Sequence, residues 1–146
     1  MHFVTGGAFN GKRAWVKKVY KDAVWVSAYE NGLLPAELAI TTNLLVLEGI
    51  EIWIRELTKQ HDDANQCREI WNCCLNGWHR WEKADPNRLV VVIGTDITKG
   101  IVPMEKENRL WRDVTGWAYQ DLAAKAEKVD FIWYGINQTI KSGGDC

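Results

Sequence analysis

No stretch of this sequence comes near the ~20 consecutive apolar residues that a membrane-crossing helix needs. Nor does a charged segment followed by a hydrophobic stretch and a cleavage site stand at its start. No membrane partner is therefore expected, and the expected location is cytoplasmic. Charge imbalance is missing too, because 18 Lys and Arg against 19 Asp and Glu leave a formal net charge of −1. Without a basic field, nucleic acid is not an expected partner. Internal repeats, low-complexity tracts and interdomain linkers are also absent, so residues 1–146 are read as one domain large enough to bury a core. The four cysteines, at 67, 73, 74 and 146, form no CxxC pair. Adjacent Cys73 and Cys74 would point in different directions around a helix, which suits a tetrahedral zinc site poorly. His61 and His79 flank this region, but Cys67, Trp71, Cys74, Leu75 and Trp78 recur at helical spacing and read as a buried stripe of reduced thiols.

What is present begins at Phe3, with FVTGGAFNGKR. In a P-loop, glycines bend the main chain so that its amides face the phosphates, and a lysine reaches the β and γ phosphates. The following helix aims the positive end of its dipole at the same anion. Gly6, Gly7, Ala8, Phe9, Asn10, Gly11 and Lys12 fit that pattern, in the order Gly, four residues, Gly, Lys. The next residue should be Ser or Thr, whose hydroxyl helps hold Mg²⁺, and here it is Arg13. The context agrees with a phosphate loop. His2-Phe3-Val4-Thr5 is a β-prone run, while Trp15, Val16, Val19 and Tyr20 fall on one helical face after the loop. The candidate nucleotide-binding residues are therefore Gly6 to Arg13, and the nucleotide expected is ATP or GTP.

Elements alternate along the rest of the chain. Ala23 to Ala28 reads as a short strand, and Asn43-Leu44-Leu45-Val46-Leu47-Glu48 as a continuous apolar strand ending in an acid, as suits a parallel sheet covered on both faces. Helices are expected over Ile50 to Lys59, from caps at Asp62 or Asp63 through Glu82, and over Glu105 to Lys128. Between them runs Leu89 to Gly94, followed by Thr95 and Asp96, and the last expected strand is Asp130 to Gly135. The fold class is α/β with a mainly parallel sheet flanked by helices. Ligands of such sheets gather at the carboxyl ends of the strands, which places the glycine loop, Glu48 and Asp96 on one rim. Glu48 then resembles the carboxylate that orients Mg²⁺ in P-loop enzymes, and Lys12, Glu48 and Asp96 are the candidate catalytic residues. Nine tryptophans are unusually many. Trp53, Trp71, Trp78, Trp81, Trp111 and Trp117 fall on expected helices, where a core or a subunit interface would absorb them.

GTDITKGIVP, followed by RLWRDVTGWAYQDLAAKAEKVDFIWYGINQTIK, resembles the bifunctional adenosylcobinamide kinase and adenosylcobinamide-phosphate guanylyltransferase family of cobalamin biosynthesis. The matching residues are Gly100-Ile101-Val102-Pro103, Arg109, Trp111-Arg112-Asp113, Gly116, Gln120, Ala123-Ala124, Ala126 and Gly135. VTGGAFNGKR is similar to the family's VTGGARSGKS. The resemblance implies a RecA-like P-loop NTPase fold, ATP or GTP with Mg²⁺ as cofactors, adenosylcobinamide as phosphoryl acceptor, and a homo-oligomer, by resemblance a trimer.

The departures sit on the functional rim. Tyr29 to Thr42 occupies the place of the family's guanylylated-histidine segment and holds no histidine, so guanylyl transfer lacks its nucleophile. Arg13 replaces a metal-binding hydroxyl with a permanent cation that repels Mg²⁺ yet can pair with phosphate. Thr95-Asp96 stands for an Asn-Glu pair, Thr98 for a glycine, and Tyr119 for an asparagine. Two readings follow: a divergent kinase-type transferase, or a nucleotide-binding relative that no longer catalyses. Arg109, Arg112 and Asp113 read better as ion pairs along a helix than as catalytic groups.

Overall fold

The computed structural model describes residues 1–7, 11–35, 38, 41–97 and 106–143. Ala8, Phe9 and Asn10 of the expected phosphate loop, Thr98 and Gly100 to Pro103 lie outside the described residues. The elements are β1 (His2–Gly6), α1 (Lys12–Val19), β2 (Val24–Ser27), a single 3-10 turn (Ala28–Glu30), β3 (Leu44–Glu48), α2 (Ile50–Gln60), α3 (Ala64–Lys83), β4 (Leu89–Thr95), α4 (Lys106–Lys125), β5 (Lys128–Trp133) and β6 (Ile136–Lys141). They build a six-stranded sheet in the order β2-β3-β4-β1-β5-β6. The first five strands run parallel, and β6 is antiparallel to β5.

Burial on both faces explains the unbroken apolar runs of β3 and β4. Leu45, Leu47, Val90 and Val92 face a core shared with α2, α3 and α4. Val46, Val91 and Ile93 turn the other way and meet Val16 of α1. The chain steps outward from β1 to β2 but back across the sheet from β3 to β4 and from β4 to β5. Right-handed crossovers therefore put α1 on one face and the other three helices on the opposite one. Adjacent β1 and β4 thus send their outgoing connections to opposite faces, and the crevice where they part is the usual ligand position of such sheets.

The helices start and pack as their sequences dictate. Asp63 caps α3, its Oδ1 accepting the Asn65 N–H at 3.0 Å. Cys67, Trp71, Cys74, Leu75 and Trp78 form the buried stripe of that helix, with Trp71 and Trp78 edge to face at 5.4 Å. Several tryptophans also act as donors. The Trp53 indole donates to the Gly32 carbonyl at 2.8 Å and Trp78 to that of Pro35 at 2.7 Å, pinning the segment after β2 against α2 and α3.

Three sequence expectations change in detail. Val19 is 47% exposed rather than packed, because α1 ends there and the chain turns extended at Tyr20. Asp113 pairs with its neighbour Arg112 at 3.2 Å instead of with Arg109 a turn earlier. The final strand is followed by another, β6, reached through a two-residue turn in which Tyr134 and Gly135 both have positive φ, 48° and 76°. Asn137 and Thr139 of β6 reach the buried Asp130 carboxylate at 3.2 and 2.6 Å, which fixes the hairpin to the sheet.

Candidate functional site

Parallel pairing brings the strand ends together. Gly6 lies opposite Thr95, and Glu48 lies opposite Ile93. The Asp96 N–H donates to the Gly6 carbonyl at 2.8 Å, extending the β1–β4 contact one residue past the end of β4. The glycines that bound the loop are required by close approach. A Cβ on Gly6 (φ 153°) would fall 2.5 Å from the Ile132 carbonyl oxygen, and one on Gly11 (φ 85°) 3.1 Å from the Gly135 Cα. Gly6 and Gly11 therefore sit against the backbone of β5 and of the β5–β6 turn.

Lys12 opens α1 and is only 8% exposed. Its ammonium donates to the Gly7 carbonyl at 2.8 Å. Burial lowers its pKa, while the charges of Glu51 and Glu48 act in the opposite direction. Arg13, one position on, lines the same cavity as Lys12. Its Nη2 donates to Glu30 Oε1 at 2.8 Å, its Nη1 lies 3.6 Å from Glu48 Oε1, and its guanidinium covers the Trp25 ring at 5.3 Å. The bond to Glu30 raises its pKa further.

The acid side of the cleft is equally engaged. Glu48 is 3% exposed, and its Oε1 accepts the Ser27 hydroxyl at 2.7 Å. Glu51, in the first turn of α2, takes the Thr95 N–H at 3.0 Å on Oε1 and the Tyr29 hydroxyl on Oε2. Burial and that bond push the Tyr29 phenol well up, so it stays a donor. Between the basic and acidic sides lies a cavity of about 790 Å³, lined by Gly11, Lys12, Arg13, Lys17, Glu48 and Glu51 among others.

Lys12 and Glu48 thus meet across one cavity, as their positions on the rim require. Asp96 stands at the end of β4 and is not among the residues lining it. Glu51, Tyr29, Glu30 and Lys17 were not anticipated. The run EGIE held a signal for Glu51, since an acid three residues after the strand-ending acid faces the same cleft from the first helical turn. Among the described residues no group of three His, Cys, Asp or Glu side chains is placed to hold a metal ion. The histidines lie elsewhere. His2 begins β1, four residues or about 13 Å from the loop end. There its Nε2 meets Asp130 and its Nδ1 the Tyr20 hydroxyl, each at 2.6 Å. His61 follows α2 and His79 lies within α3.

A central strand feeding a glycine loop and helix, in a parallel sheet whose acid-ending strand lies two places away, defines a P-loop α/β protein of RecA-like arrangement. The family model of cobinamide kinase / cobinamide phosphate guanyltransferase matches residues 25–140, and the chain belongs to that family. The match starts at Trp25, beyond the glycine loop. A search of the curated proteins finds no match. No helix among the described residues is long and apolar enough to cross a membrane.

Proposed function

We propose that this chain binds a nucleoside triphosphate, ATP or GTP, over the N-terminus of α1, and that it retains the kinase half of its family's chemistry without the guanylyltransferase half. The observation that carries the reading is Lys12. Its buried ammonium is held at the cavity wall by one loop carbonyl, beside a helix N-terminus, where an incoming phosphate can take it over. Phosphoryl transfer depends on positioning and charge neutralisation, and Lys12 supplies both at the phosphate. Glu48 and Asp96 supply the carboxylates of the rim, and the acceptor is a cobinamide-type alcohol such as adenosylcobinamide. Guanylyl transfer needs a nucleophile to receive GMP, and among the described residues no histidine lines the cavity.

Titration calorimetry with ATP and GTP tests the binding step. Removing a charge-assisted contact in Lys12→Ala should weaken affinity by roughly 10- to 100-fold. No binding by the wild type, or unchanged binding by Lys12→Ala, refutes the proposal. Transfer of labelled γ-phosphate to adenosylcobinamide tests the kinase step. A chain that binds nucleotide without turnover would be the non-catalytic relative, a reading favoured by the replacement of a metal-binding hydroxyl with Arg13.

A further inference from the structure

Mg²⁺ needs near-octahedral oxygen coordination and a site free of competing cations. The cleft offers it little. The hydroxyl expected after Lys12 is replaced by a guanidinium, and the carboxylate expected on the metal side, Glu48, already accepts Ser27 and faces that guanidinium at 3.6 Å. Glu51 is occupied on both oxygens, by Thr95 and by Tyr29. A divalent ion beside Glu48 would sit against a permanent positive charge at short range.

Resting on the nucleotide-binding reading above, we propose that Arg13 takes the charge-neutralising place of the divalent ion, so that the site accepts the polyphosphate of a nucleotide as the metal-free anion. Glu48 is buried and needs a counter-charge before a polyanion can approach, and Arg13 supplies one from within the chain. The guanidinium is held in place by the hydrogen bond to Glu30 and by the Trp25 ring. Lys17, one turn after Arg13 on α1, lies over the same ring at 5.4 Å and lines the same cavity. Lys12, Arg13 and Lys17 thus bring three cationic side chains to the lining of one cavity.

The test is calorimetry of the full chain with ATP and with GTP, in excess Mg²⁺ and in EDTA. Wild-type affinity should agree within about threefold between the two buffers. Arg13→Ser, which restores the hydroxyl, should bind at least about tenfold more tightly with Mg²⁺ than with EDTA, and Arg13→Lys should remain metal-indifferent. With Mn²⁺ as a spin probe in the presence of ATP, a protein-bound signal should appear for Arg13→Ser and not for the wild type. Wild-type binding that disappears in EDTA, or a bound Mn²⁺ signal from the wild type, overturns the inference while leaving nucleotide binding intact. Absence of binding in both buffers overturns the nucleotide-binding reading and this inference with it.

Discussion

Replacing Gly94 by alanine tests how tightly the floor of the cleft is built. The added Cβ would lie 2.5 Å from the Tyr119 hydroxyl oxygen, 2.8 Å from Tyr119 Cζ and 2.7 Å from Ile50 Cγ1, well inside van der Waals contact. Neither neighbour yields freely. Ile50 is fully buried, and Tyr119 donates to the Thr95 carbonyl at 2.7 Å while packing edge to face on Phe3 at 5.2 Å. Overpacking costs roughly 1–3 kcal/mol, and breaking the Tyr119 bond adds about 1 kcal/mol, so Gly94→Ala should destabilise by about 2–4 kcal/mol. At about 3–4 °C per kcal/mol for a chain of this size, the midpoint of thermal unfolding should fall by roughly 6–16 °C. Tyr119→Phe alone should cost about 1 kcal/mol, and it removes the closest of the three contacts. The double variant should therefore be about 1 kcal/mol more stable than the sum of the two single effects predicts. Urea denaturation with unchanged slope reads all three values. A Gly94→Ala chain within about 0.5 kcal/mol of wild type, or strict additivity, refutes the packing described here.

Three further outcomes are expected. Trp78→Phe removes the indole donor to the Pro35 carbonyl while keeping most of the buried ring, and should cost about 1–3 kcal/mol. Faster amide exchange in residues 29–35 would accompany it, and unchanged exchange there would show that the bond does not pin the segment. Burial holds His2 below its ordinary value of 6.5, although its bond to Asp130 pulls upward. The unfolded chain then takes up the proton first, so stability present above pH 6.5 drains away as pH falls, by up to about 1.4 kcal/mol per pH unit. His2→Gln should flatten that slope below about pH 6.5, leaving the more acidic loss from carboxylates such as Asp130, whose pKa burial raises but its hydrogen bonds to Thr139, Asn137 and His2 bring down overall. Incubation with labelled GTP should leave no acid-labile GMP on the protein, and stable labelling of His61 or His79 would contradict the assignment of a kinase half alone.

Much of the fold was legible because it is written in burial. β3 and β4 are apolar on consecutive residues since each is covered on both faces, and the α3 stripe keeps helical spacing because one side of that helix is packed. β6 has no such pattern. Its six residues are all exposed, and its turn uses Tyr-Gly where Asn-Gly would have advertised a hairpin. In the cleft, Lys12 and Glu48 were legible from motif spacing and strand-end position. The partners of Arg13 were not, because Glu30 ends the turn after β2 and Glu48 is the last residue of β3, and only the sheet order makes them neighbours. Tyr119 looked like an unexplained replacement. Its hydroxyl turns out to lie over the one residue in β4 with no side chain, where a bulkier neighbour would leave it no room.

Gly6 and Gly11, at the two ends of the glycine loop, lie against backbone contributed by residues 132 and 135, more than 120 positions later in the chain. During synthesis the first strand emerges early but stays without that support until the last hairpin has formed. On the proposed function, nucleotide affinity is consequently gained only once that hairpin has formed, and a product halted before it would carry the motif without the grip.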